Sequence, residues 1–152
     1  MDAARRSFLS SAAAAGLALH PLAALLAGCG RSELPEGVAE IKWDRDTCVR
    51  CSMIISDPRF AAQVRGGPQQ QSYKFDDIGC VVFWLKAQAW GNDPATKIWV
   101  MGGENKWLDA RAARYIGGRT SPMGYNFAAT RDVAAGSLDF EEMRQHILAK
   151  GK

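Results

Sequence analysis

Histidine is scarce in this chain, with two in 152 residues, His20 and His146. Hydrolytic chemistry of the Ser/His/Asp or Cys/His kind, or a histidine-based metal-hydrolase site, therefore has no residues to stand on. No glycine-rich loop of the phosphate-cradling type occurs, and nothing else points to chemistry on a substrate, so an enzyme is not expected. There is also no block of lysine or arginine. Nucleic acid is set aside as a partner on that ground. Long apolar runs are missing too: Ser11 to Leu26 is broken by His20 and Pro21 and is too short for a good spanning helix.

The first 28 residues read as a processing signal, not as folded structure. Arg5 and Arg6 form a basic start, an alanine-rich apolar stretch follows, and "LAGC" ends it at Cys29. "RRSFL" is similar to a twin-arginine export signal, and "LAGC" to a bacterial lipobox whose cysteine is lipidated. On this reading residues 1–28 are removed and Cys29 carries the lipid. Residues 29–40 are a polar linker, and residues 41–152 are the folded domain. More than one acyl chain gives stable anchoring, so a lipid-anchored protein on the periplasmic side is expected, with the outer membrane favoured. Removing residues 1–28 takes Arg5, Arg6 and Asp2 from the 19 basic and 16 acidic side chains, which leaves a net charge of about +2.

The remaining chain is long enough for one compact domain or two very small packed lobes. "FAAQVRGG" followed by "QQQSYKF" reads as a β-hairpin. From Asp77 to Trp90 the apolar residues recur at three- and four-residue steps, which predicts an amphipathic helix capped by Asp76 or Asp77. "KIWVM" reads as a strand, and "KWLDARAARYIGG" as a short strand running into a short helix over 109–116. "GYNFAAT" reads as a further strand, and 138–148 as a last amphipathic helix. The order predicts an α+β fold. Trp43, Trp84, Trp90, Trp99 and Trp107 are expected as core or hinge packing.

With Cys29 committed to lipid, Cys48, Cys51 and Cys80 remain. An odd number of cysteines outside the cytoplasm leaves at least one thiol unpaired in a monomer, a liability unless it is buried or holds a metal. Haem attachment through "CVRC" is excluded, because Ser52 stands where the histidine must follow. A zinc set of Cys48, Cys51, Cys80 and His146 is arithmetically available, but no second paired-ligand cluster supports it, and His146 reads as a solvated helix residue. A catalytic CxxC should open a helix. "SMIISDP" favours an extended segment instead, although a structural or exchangeable Cys48–Cys51 disulfide stays open as an alternative. If "CSM" is extended, Cys51 and Met53 share one face with Cα atoms about 6.6 Å apart. Thiolate and thioether together are a soft donor set that suits Cu(I). Met123, on the turn "SPMG", is placed either to plug the core or to supply a further sulfur.

Taken in order, "CVRCSMIISDPRFAAQV", "YKFDDIGCVVFWLK", "KWLDARAARYI" and "SPMGYNFAA" resemble the NosL family of nitrous oxide reductase accessory lipoproteins, over about Asp44 to Thr130. The family's "CGM" appears here as "CSM" and its "TPMG" as "SPMG", both with the sulfur positions kept. The added Cβ makes a positive φ at Ser52 less comfortable. The resemblance implies two related ββαβ lobes packed together and an extracytoplasmic copper chaperone. It implies Cys51, Met53 and Met123 as Cu(I) ligands, with Cys48 a further candidate. Delivery would run to the machinery that matures the reductase copper centre, including an ABC-type membrane complex. Asp76 and Asp77 match the family's acidic pair, as a helix cap first and as a partner-docking site second. Cys80 falls where that motif dictates no cysteine and is expected simply to be buried. The alternative function is an extracytoplasmic thiol–disulfide oxidoreductase working through Cys48 and Cys51.

Overall fold

The computed structural model describes residues 34–151; the expectations for Arg5, Arg6 and the lipidated Cys29 lie outside them. β1 (Ala62–Gly66) and β2 (Gln71–Phe75) form the expected hairpin, with Val64 opposite Tyr73. α1 (Ile78–Lys86) follows, and then β3 (Lys97–Met101) and β4 (Trp107–Asp109). These four strands make one antiparallel sheet in the order β2-β1-β3-β4. β5 (Arg114–Gly117) and β6 (Phe127–Thr130) pair as a second, two-stranded sheet, and α2 (Phe140–Lys150) closes the fold. The architecture is α+β, as the element order predicts. No described helix is long and apolar enough to cross a membrane.

The core follows from alternation along the strands. Ala62 and Val64 point to the α1 side of β1, while Gln63, on the other face, is also fully buried. Its amide exchanges two hydrogen bonds with the Ala39 backbone, at 2.9 and 2.8 Å. That pairing satisfies a polar side chain whose burial would otherwise be costly. It also draws residues expected as linker into the domain, and the compact unit begins at Leu34. The far end of α1 is held to β2 by rings, with Tyr73 and Trp84 centred 4.5 Å apart and Trp84 and Trp90 5.5 Å apart. Trp99 and Trp107 are half-buried, but Trp43 is exposed and packs in no core.

Three expectations fail for identifiable reasons. α1 stops at Lys86, short of Trp90, because the chain tightens into i→i−3 turns (Gln88 N–H to the Leu85 carbonyl, 3.0 Å) that fold Gly91 back onto Leu85. No helix forms over 109–116. A turn closed by the Ala113 N–H on the Asp109 carbonyl leads into β5, whose Tyr115 pairs with Ala129 of β6 and bridges Leu138. Long-range pairing of β-favouring residues outweighs a weak local helical pattern there. The first half is ββαβ as expected, while the second is ββα among the described residues. The hydroxyl of Tyr115, buried to 0 % exposure, donates to the Ala110 carbonyl at 2.7 Å, which locks this turn.

Candidate metal site

The CxxC segment lies in a reversing turn, not in an extended strand. Thr47 and Ile54 bridge across it, the Cys48 N–H donates to the Met53 carbonyl at 2.8 Å, and the Ser52 N–H donates back to the Cys48 carbonyl at 2.9 Å. Ser52 takes up φ +63°, the left-handed region, so Cys51 and Met53 are not consecutive side chains on one strand face. The shared-face geometry expected for them is corrected by this kink. The turn is moored to the sheet edge by the Val49 N–H on the Lys74 carbonyl (3.0 Å) and by the Lys74–Asp46 ion pair (2.6 Å).

A strain of this kind has a measurable consequence. A non-glycine residue in the left-handed region costs about 1 kcal/mol. Ser52→Gly relieves that strain but adds backbone entropy to the unfolded chain, so a net stabilisation of up to about 0.5 kcal/mol is expected. Denaturant midpoints at unchanged m-value would read it out, and a loss of stability would show that the serine side chain contributes more than the strain takes away.

β2 ends at Phe75, and the chain passes through Asp76 and Asp77 into the first turn of α1, where Cys80 sits. Asp77 is the N-cap, its carboxylate accepting from the Gly79 N–H at 2.9 Å. The same carboxylate accepts from the Ser121 hydroxyl at 2.6 Å and from the Met123 N–H at 3.3 Å, tying the "SPMG" turn to the helix start. Burial pushes the Asp77 pKa up, and these donors oppose that shift. Asp76 and Asp77 are 2 % and 0 % exposed, which corrects the docking role entertained for them: neither has surface to offer a partner.

Mooring the turn beside the start of α1 brings Cys48, Cys51, Cys80 and Asp76 together, with their ligand atoms all within 4.8 Å of one another. All three thiols are free. Cys48 and Cys80 are 1 % and 0 % exposed, whereas Cys51 is half-buried, so Cys51 is the sulfur through which the group meets solvent. The Cys51 thiol faces the Asp76 carboxylate, 3.5 Å from each oxygen. Arg50, between the two cysteines of the turn, reaches Cys80 Sγ at 3.9 Å and the Tyr125 hydroxyl at 3.2 Å.

The three thiols are not equivalent. A hydrogen bond from the Cys80 thiol, helped by the Cys51 and Asp76 backbone N–H groups, brings the Cys48 pKa down to about 6 against the pull of burial. Cys51 is raised to about 11, first by burial. Cys80 is raised as well, because its proton is engaged by Cys48 and because it is buried. Cys48 is thus the sulfur of the three that favours the thiolate, while Cys51 and Cys80 favour the thiol. Three sulfurs and one carboxylate converge with enough donors for a thiophilic ion.

His146 takes no part in the group. It is exposed on α2 with its ring 6.4 Å from that of Phe127. Asp76 stands where the arithmetic zinc set placed a histidine. Met53 is 44 % exposed at the mouth of the turn, and Met123 is half-buried against the core, less displayed than its Pro/Gly setting suggests. Cys80 is buried on the helix as expected, and it is also a full member of the cluster, as in the arithmetic zinc set, although the family motif dictates no cysteine there. Its position in the first turn of α1, just after Asp76 and Asp77, was the available signal. Arg50 carried no such signal.

The fold and the site together define a small α+β protein with a Cys3Asp group able to hold a metal ion. No protein-family model matches the chain, and no curated protein is significantly similar to it.

Proposed function

We propose that this protein is an extracytoplasmic Cu(I) carrier of the NosL kind, a lipoprotein anchored through Cys29. In this reading it hands copper to the assembly machinery of the nitrous oxide reductase copper centre, including an ABC-type membrane complex. The observation that carries the reading is the convergence of Cys48, Cys51 and Cys80 with Asp76. Soft thiolates select Cu(I) over hard cations. One sulfur at the surface and two beneath it suit an ion that must be accepted and given up again. Exposed Met53 beside Cys51 is a first thioether contact for the arriving ion, and Met123 a further sulfur on the adjoining turn. The order of motifs in the sequence supports the client.

Thiol–disulfide exchange through Cys48 and Cys51 is the second reading, and the low pKa of Cys48 speaks for it. The arrangement speaks against it. Exchange needs an ionised thiol that an incoming disulfide can reach, whereas here the ionised sulfur is buried and the accessible one keeps its proton.

Competition with a Cu(I) chelator tests the proposal, and its pH dependence is the sharper form. The Cys48 pKa is lowered, whereas those of Cys51 and Cys80 are raised, so Cys51 and Cys80 must each release a proton to ligate near neutral pH. Affinity therefore rises with pH, by about tenfold per unit for each proton displaced. Between pH 7 and 9 the expected slope is about two decades per unit when both ligate. Stoichiometric binding with a flat response would remove Cys51 and Cys80 as ligands.

A further inference from the structure

A monovalent ion held by thiolates leaves a net negative charge. Two thiolates around Cu(I) sum to −1, and a third thiolate or an ionised carboxylate makes the sum more negative. Cys48, Cys80 and Asp76 are buried, so that charge forms in a poorly solvated place where an uncompensated ion is costly. Lys74, on the neighbouring strand, is committed to Asp46 at 2.6 Å. Among the described residues, the cation that reaches the sulfurs is Arg50, with Nη1 3.9 Å from Cys80 Sγ. Its guanidinium is steadied by the Tyr125 hydroxyl at 3.2 Å and lies 4.9 Å from the centre of the Phe83 ring. Phe83 lies on α1 and Tyr125 on the loop before β6, so the charge is held in place from outside the CxxC turn. A planar guanidinium suits this duty better than an ammonium, since it stacks on the ring and donates in several directions at once.

We propose that Arg50 is the built-in counter-ion of the loaded site and a determinant of its preference for monovalent over divalent metal. The inference rests on the Cu(I)-carrier reading. For the same set of ligands, a complex of a monovalent ion carries one more negative charge than that of a divalent ion. A fixed positive charge at this distance stabilises the more negative complex by the larger amount. Arg50 holds no metal itself. It positions and compensates the residues that do, as outer partners of metal ligands commonly do.

The test compares two ions in the same variants of the full chain. Cu(I) affinity is measured against a chelator, and Cd(II) affinity by direct titration, for wild type, Arg50→Gln and Arg50→Lys. Arg50→Gln is expected to lower Cu(I) affinity by about 10–100-fold, the range for residues that support metal ligands. Cd(II) affinity should fall by less than a third of that factor, and Arg50→Lys should recover most of the Cu(I) loss. A role confined to holding the fold would weaken both ions alike, and an equal loss overturns the inference. So does unchanged Cu(I) affinity in Arg50→Gln. If Arg50→Gln does not fold, Arg50→Leu keeps the packing on Phe83 without the charge and is read by the same ratio. Wild-type protein that binds no Cu(I) overturns the carrier reading along with this one, whereas tight wild-type binding with no selective loss overturns this one alone.

Discussion

Cys80→Ser is expected to weaken Cu(I) binding by at least about 100-fold, beyond the 10–100-fold typical of residues that only support a ligand. Serine nearly conserves the volume of this fully buried side chain, and its hydroxyl can still donate to the Cys48 sulfur. The fold should therefore survive, and the loss should report on the missing thiolate. Cys48→Ser and Cys51→Ser are expected to behave alike, because all three sulfurs lie within 4.8 Å of one another. Met53→Ala should cost less than about tenfold, since a weak thioether contact at an exposed site is readily replaced by solvent. The comparison separates two ligand sets. The sequence motifs favour Cys51, Met53 and Met123, while the tertiary structure gathers Cys48, Cys51, Cys80 and Asp76. An affinity for Cys80→Ser within threefold of wild type, alongside a collapse in Met53→Ala and Met123→Ala, would restore the first set.

The second large effect concerns the wall of the site. Gly79 is the second residue of α1, one before Cys80, and a Cβ there would stand 2.0 Å from Cδ2 and 2.1 Å from Cγ of Tyr125. Two effects compete in Gly79→Ala. Helix propensity alone would stabilise by about 1 kcal/mol. Overpacking opposes it, and the ring that must yield is fully buried and bonded at its hydroxyl by Arg50. Relief requires displacing the helix start or the ring, at a cost of about 3 kcal/mol or more. The net outcome is a destabilisation of roughly 2 kcal/mol or more, which lowers Tm by about 5–15 °C in a domain of this size. Calorimetry checks it, and a Tm equal to or above wild type would mean that the ring moves freely. Because Tyr125 also steadies Arg50, the folded variant should bind Cu(I) more weakly too.

Much of the framework is readable from local pattern. The hairpin of β1 and β2, the strand "KIWVM" and the apolar face of α2 with Met143 and Ile147 buried all follow from periodicity. Asp77 as the cap of α1 follows from residue type at a helix start. The errors lie where long-range pairing decides the outcome. Residues 109–116 have a helical pattern and become a turn and a strand, because β6 and Leu138 offer Tyr115 partners that no local window contains. Trp43 reads as core by type and is exposed, since type does not say which side of a turn faces the domain.

For the candidate site the division is similar. Composition and spacing single out the sulfurs: an odd set of three cysteines beyond Cys29, too little histidine for a conventional zinc set, and a serine where the resembling family carries glycine. The last of these appears in the structure as φ +63° at Ser52, because conformational freedom at one residue is a local property. Convergence is not local. Cys80 lies 29 residues from Cys51, and only the mooring of the 48–53 turn on Lys74 of β2, the strand that leads into α1, brings the two together. That same packing sets which thiol has its pKa lowered, which is exposed, and which cation faces them. Residue type and order specify the donors available to a soft metal; the packing of the turn against the start of α1 decides which of them can meet at one ion.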